Sequence, residues 1–147
     1  MRIGDTTDQH DKNERARKHQ RGPRRLEQPG GALRFGLDAL LLAAFAARHC
    51  EERRARLSQA TAQTLRLSVA ELGCGCGAAL LALALRCPEV SGQGLEREES
   101  LLTAARRNAV TLGLERRLRF LHTDLAELRP ESERELAPDL VLANPPY

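Results

Sequence analysis

Apolar positions along the chain recur with two different periods, and the two alternate. Leu37, Leu40, Leu41, Ala44 and Phe45 follow the i, i+3, i+4, i+7, i+8 spacing of an amphipathic helix within 33–49. Their pattern predicts a helix with its large apolar residues turned inward, and Asp38 falls in its first turn, where a negative charge complements the dipole. Residues 50–66, rich in arginine and glutamine, read as a helix end plus loop. Leu67–Leu72 is a short apolar strand, and the glycines that follow, Gly73, Gly75 and Gly77, cannot be strand interior. Ala78–Arg86 then reads as a helix rich in alanine and leucine. A weak strand over 90–95, interrupted by Gly92 and Gly94, ends at Glu96. In 99–112, Leu101, Ala104, Ala105, Ala109 and Leu112 share one helical face, and Gly113 is the natural stop. A third strand over 118–122 ends at Thr123 and Asp124, a short helical turn follows at 125–128, and 130–135 is charged loop. The fourth strand, 139–143, runs into Asn144-Pro145-Pro146-Tyr147.

This β-α-β-α-β-α-β order predicts an α/β fold: a Rossmann-like parallel sheet with helices on both faces. Ligands in such sheets bind at the carboxyl ends of the strands. Those ends carry the glycines, Glu96, Asp124 and the 144–147 tetrapeptide, as a single site along one sheet edge requires.

At 147 residues the chain is about one domain. Residues 1–30 form a basic tail without apolar period, expected to be disordered to about Pro23, and the folded domain is expected over 31–147. The tail is either a basic arm for RNA or simply solvated. No apolar run reaches the roughly 18 residues of a membrane span and no secretory signal is visible, so a cytoplasmic location is expected. The net charge of +3 permits nucleic-acid binding without demanding it. Lys12 and Lys18 are the only lysines, so arginine supplies nearly all the positive charge. Of the four cysteines, Cys74 and Cys76 are one residue apart, not the two of a zinc knuckle, and no histidine pair accompanies them. They are read as small residues filling the glycine loop, with no metal site expected.

The glycine loop admits three readings. Gly73, Gly75 and Ala78 satisfy the G-x-G-x-x-G/A dinucleotide fingerprint. The same residues form E-x-G-x-G-x-G with Glu71 as its acid, the first motif of S-adenosylmethionine methyltransferases. An acid there suits a cofactor carrying a sulfonium and an ammonium group and would repel a pyrophosphate. The third reading is a tight turn without ligand. Glu96, nineteen residues past Gly77, can accept from both hydroxyls of a ribose, which fits either cofactor equally; otherwise it is an exposed acid in the run ERE. Asp124 can accept from an adenine amino group or N-cap the turn behind it.

Asn144-Pro145-Pro146-Tyr147 adds chemistry of its own. Adjacent prolines remove two N–H donors and stiffen the backbone, leaving the carbonyl oxygens of Asn144 and Pro145 to accept from a planar NH2 group. Such a nitrogen is a poor nucleophile because its lone pair is delocalised. Two acceptors draw it toward a tetrahedral form and aim the lone pair at a sulfonium methyl. Tyr147 offers a face for stacking.

With ELGCGCG, Glu96, Asp124 and NPPY in this order, the chain resembles class I S-adenosylmethionine-dependent methyltransferases of the N-P-P-Y group, which modify the amino nitrogen of adenine or the amide of glutamine. The segment 28–45 is similar to that of bacterial tRNA (valine) adenine-N6 methyltransferases. The resemblance implies S-adenosylmethionine as cofactor, Asn144, Pro145, Pro146 and Tyr147 as the catalytic group, and Phe35, Asp38, Glu71, Gly73, Gly75, Gly77, Glu96 and Asp124 around the cofactor. It implies methylation of adenine N6 in tRNA, with a glutamine amide of a protein such as a release factor, or a non-catalytic nucleotide-binding module, as alternatives. The family sheet has seven strands and four are readable here. The expectation is therefore an N-terminal part of such a domain, marginally stable, prone to associate through its fourth strand, weak in cofactor binding and inactive alone.

Overall fold

In the computed structural model, residues 26–30, 36–58, 66–128 and 137–145 are described. The tail up to residue 25, Phe35, the charged loop at 130–135, Pro146 and Tyr147 lie outside them. Chain order is α1 (Leu37–Ser58), β1 (Leu67–Leu72), α2 (Ala78–Arg86), β2 (Val90–Glu96), α3 (Glu99–Leu112), β3 (Leu118–His122), a 3-10 turn (Leu125–Glu127) and β4 (Leu140–Ala143).

The four strands form one parallel sheet in the order β3-β2-β1-β4. Val69 lies level with Gly92 and Leu140, and Glu71 with Gly94 and Leu142. Side chains alternate across a strand. Leu67, Val69, Val90, Leu118, Phe120 and Leu142 therefore share one face, and all are buried. On that face they join Ala43, Ala46 and Ala47 of α1, Leu80, Leu81 and Leu83 of α2, and Leu102, Ala105 and Ala109 of α3 in one core. The α/β class and parallel order agree with the sequence, and the three described α-helices all pack on this face. Of the connection from β3 to β4, the 3-10 turn with its flanking residues and residues 137–139 are described.

Two sequence expectations need correction. First, α1 turns its large residues outward: Leu37, Leu41 and Phe45 are 70%, 60% and 75% exposed, while Ala39, Ala43, Ala46, Ala47 and Cys50 are buried. Both sets obey the helical period. The small set faces the core, with Leu42 half-buried beside it. The helix end within 50–66 reaches Ser58; past the buried Cys50, good helix formers such as the arginines carry it. Second, Gly92 and Gly94 do not interrupt β2. A Cβ at Gly92 would sit 2.6 Å from the Val69 carbonyl oxygen, and one at Gly94 would sit 2.7 Å from both Cys74 Sγ and Phe120. These glycines mark where a loop and a neighbouring side chain press on the strand.

Residues 26–30, grouped with the tail in the sequence reading, are held to the domain. Asn108 is buried on α3. Its Oδ1 accepts from the Glu27 N–H at 2.7 Å, and its Nδ2 donates to the Glu27 carbonyl at 3.0 Å and to that of Cys76 at 3.1 Å. Leu26 packs against the core. Among the described residues, no helix is long and apolar enough to cross a membrane.

Candidate active site

β1 runs straight into a loop whose backbone only glycine adopts without strain. Gly73 and Gly75 have φ of 64° and 55°, and a Cβ on either would meet nothing within 4 Å. The space a side chain would take there is left free. The loop turns back so that the Cys74 N–H donates to the Leu95 carbonyl at 3.0 Å, tying it to the neighbouring strand end. Cys74 and Cys76 are buried and reduced, as small loop fillers, and burial pushes both thiols up in pKa. Among the described residues, no cluster of metal-ligating side chains is present.

A cavity of about 570 Å³ opens at the carboxyl ends of the strands. That size lies within the range of small-molecule sites. Gly73, Gly75, Glu71, Glu96, Asp124, Asp38, Asn144 and Pro145 all line it. The fold thus brings Asp38 and Asn144, 106 positions apart, to one cavity. Gly77 is beside it in sequence and starts α2 with φ of 83°. Phe35, Pro146 and Tyr147 lie outside the described residues.

Glu96 is no exposed acid: only 8% of its surface is accessible. Its Oε2 accepts from the Gly75 N–H at 2.8 Å and its Oε1 from the Glu98 N–H at 2.9 Å. A carboxylate has about four acceptor positions, so two remain for a ligand. Asp124 caps the 3-10 turn, its Oδ1 accepting from the Ala126 N–H at 2.9 Å, while its side chain also borders the cavity.

Glu71 is 3% exposed and does a task the sequence did not reveal. The N-cap of α2 is Gly77, which has no side chain to offer. Glu71 reaches from the end of β1 and accepts the Leu80 N–H at 3.0 Å, capping the helix from the strand. Burial pushes its carboxyl up to about 8; the Leu80 N–H opposes this and the charge of Glu96 adds to it. Across the cavity, the Asn144 amide donates Nδ2–H to Asp38 Oδ2, which holds the Asp38 carboxyl below its usual range. Gly36 leaves room for this carboxylate, because a Cβ there would overlap Asp38 Oδ1.

Five acids, Asp38, Glu71, Glu96, Glu98 and Asp124, line the cavity with one arginine, Arg97. Cations and hydroxyl donors are therefore welcome and an anion is not. In a dinucleotide fold the pyrophosphate rests on the first helix N-terminus. Here an acid already occupies that N-terminus. The residues present thus suit a cofactor with sulfonium, ammonium and ribose groups.

Two supports of the site were not read from the sequence. Asn108 clamps residue 27 and the loop carbonyl of Cys76, and its only signal was a polar residue on an apolar helical face. Asp139 accepts the Ser68 N–H at 2.9 Å and pairs with Arg53 of α1 at 2.8 Å, which registers α1 and β4 on β1. No local pattern announces it.

A release factor glutamine methyltransferase of Bradyrhizobium diazoefficiens is 39% identical over 97 residues, 65% of this chain and 31% of that protein. A tRNA1(Val) (adenine(37)-N6)-methyltransferase of Pedobacter heparinus is 29% identical over 122 residues, 83% of this chain and 44% of that protein. The chain thus spans less than half the length of these curated relatives. Among solved structures, a predicted O-methyltransferase from Agrobacterium tumefaciens superposes with a TM-score of 0.52 at 26% identity, covering 74% of this chain and 49% of that one. Residues 69–144, from the third residue of β1 to the catalytic candidate Asn144, match the family described as Methyltransferase domain. The chain belongs to this methyltransferase family, whose cofactor is S-adenosylmethionine.

Proposed function

We propose that this chain forms the cofactor-binding part of an N-methyltransferase acting on a planar NH2 group, the N6 amino group of an adenine in tRNA. The observation that carries the reading is the acid-lined cavity with Asn144 and Pro145 on its rim. Gly73 and Gly75 admit the cofactor close to the backbone, and Glu96 has acceptor positions left for a ribose. Asp124 borders the same cavity and can accept from the adenine amino group. Asp38 puts negative charge where a sulfonium or an ammonium group needs it, and Glu71, which burial keeps protonated, adds charge only when a cation beside it draws that proton off. The cofactor supplies an activated methyl group. Asn144 and Pro145 accept from the attacking NH2, localise its lone pair and align it. Proximity and alignment supply most of the rate, with no histidine base required. An adenine within a stem has to be unstacked or flipped to reach the rim.

Support for the tRNA reading is the match over 83% of the chain to a tRNA1(Val) (adenine(37)-N6)-methyltransferase. A glutamine amide of a release factor is the second reading, favoured by the higher identity, 39%, of the Bradyrhizobium diazoefficiens relative. An amide NH2 suits the same acceptors. The test has two arms. Calorimetry should register S-adenosylmethionine and its demethylated product while NAD stays silent; NAD binding more tightly would overturn the cofactor assignment. Incubation of a full-length relative with methyl-labelled cofactor should then label a tRNA pool, and label only in a release-factor pool would select the glutamine reading.

A further inference from the structure

Asn144 reaches across the cavity to α1. Its Nδ2–H is taken by Asp38 Oδ2. The two residues come from rigid elements rather than loose ends. Leu142, two residues before Asn144, is 3% exposed, and Ala143 is paired with Leu72 of β1. Asp38 sits in the first turn of a helix that is tied to the start of β4 by the Arg53–Asp139 pair.

An asparagine side chain has an acceptor end and a donor end of nearly equal size, so its neighbours decide which way it faces. A carboxylate only accepts, so Asp38 can be met only by the NH2 end. The free end is then the carbonyl Oδ1, which accepts no hydrogen bond among the described residues, on a side chain that lines the cavity. If the amide were turned over, its NH2 would confront the NH2 of an acceptor. Two donors repel, and the lone pair of the attacking nitrogen would not be localised.

We propose that Asp38 is a positioning residue for methyl transfer: it sets the orientation of the Asn144 amide so that the carbonyl oxygen meets the accepting nitrogen. The inference rests on the reading of Asn144 as a hydrogen-bond acceptor for that nitrogen, and assigns this acceptance to the side-chain Oδ1 beside the main-chain carbonyls of Asn144 and Pro145 read from the sequence. It assigns Asp38 a role toward the attacking group, in addition to any toward the cofactor. Both are compatible, since a carboxylate that accepts from Asn144 through Oδ2 keeps further acceptor positions on Oδ1.

The test starts from 1H–15N spectra of the whole chain, with the Asn144 side-chain signals assigned by their loss in Asn144→Ala. A charge-assisted bond to Asp38 should move one Nδ2 proton downfield of ordinary asparagine side chains, and Asp38→Ala and Asp38→Asn should return it. Signals that stay put in both variants overturn the proposal. In methyl transfer by a full-length form at saturating cofactor, Asp38→Asn should lower turnover by about 10–100-fold, the range expected for a lost charge-assisted bond. The same substitution should have no further effect in an Asn144→Ala background. Equal losses in the two backgrounds mean that Asp38 acts apart from Asn144, and the proposal falls. Amide shifts at Gly73, Gly75 and Gly77 on adding S-adenosylhomocysteine report the cofactor separately. Their absence would reject the cofactor reading, whereas the Asn144 signal decides the pairing in either case.

Discussion

Glu71→Gln should make the protein more stable at neutral pH, although it removes an acid from the site. In the folded chain, burial holds the Glu71 carboxyl at about 8 against an ordinary value of 4.5. Between those values the folded state keeps a proton that the unfolded state has released. Stability contributed by this group is therefore complete below pH 4.5, falls as pH rises, and is lost by pH 8. At pH 7 the span crossed is about 2.5 pH units, and at 1.36 kcal/mol per unit the loss is about 3 kcal/mol at most. Glutamine has nearly the same shape, keeps an acceptor for the Leu80 N–H and does not titrate. Urea denaturation of both proteins at pH 5, 7 and 8.5 measures the difference, and taking the difference cancels the other carboxylates. The gain from Glu71→Gln should be under about 1 kcal/mol at pH 5, rise toward about 3 kcal/mol at pH 7 and level off above pH 8. A difference that does not change with pH, or a variant less stable than the parent at pH 7, would refute the account of Glu71 as an acid buried at a cost.

Glu96→Ala should weaken S-adenosylmethionine binding by about 1.5–3 kcal/mol in calorimetry, the range for hydrogen bonds to a charged group; an unchanged affinity would confine Glu96 to its Gly75 and Glu98 contacts. Asn144→Ala should cut turnover far more than cofactor affinity, and parallel losses in both would reduce Asn144 to a wall of the pocket. Asn108→Ala should lower stability by about 2–4 kcal/mol, since it leaves the Glu27 and Cys76 backbone groups without their partner. Chemical denaturation checks this, and a change under about 0.5 kcal/mol would show that water replaces the clamp.

Strand and helix order was legible because β1, β3 and β4 are short and apolar and because the element ends are punctuated. The glycines end β1, Glu96 ends β2, and Gly113 ends α3 with φ of 71°. The orientation of α1 was not legible. Its sequence carries two helical stripes of equal regularity, one of leucine and phenylalanine and one of alanine and cysteine. Periodicity says that a face exists but not which face is used. Size would choose the leucines. Packing on the core chooses the alanines and Cys50, with Leu42 half-buried beside them. The glycines of β2 were misread for a related reason. A glycine that weakens an isolated strand is required where Cys74 and Phe120 press on it, and that pressure is visible only in three dimensions.

The site divides along the same line. Residue types at the strand ends could be listed from the pattern, since a parallel sheet sends every carboxyl end to one edge. What each acid is bonded to could not. Glu71 could be read in the sequence as a partner for a positively charged cofactor; in the fold it is also the cap that Gly77 cannot be. That second task sharpens the first. With Glu71 on the Leu80 N–H, the helix terminus that would welcome a phosphate is already satisfied by a buried carboxyl group. A dinucleotide would have to displace a buried side chain and bring two more negative charges beside Glu96. A cofactor with a cationic sulfur and a cationic amine meets the opposite field. The choice between the two cofactors, open on the glycine spacing alone, thus turns on one hydrogen bond between the end of a strand and the start of the next helix.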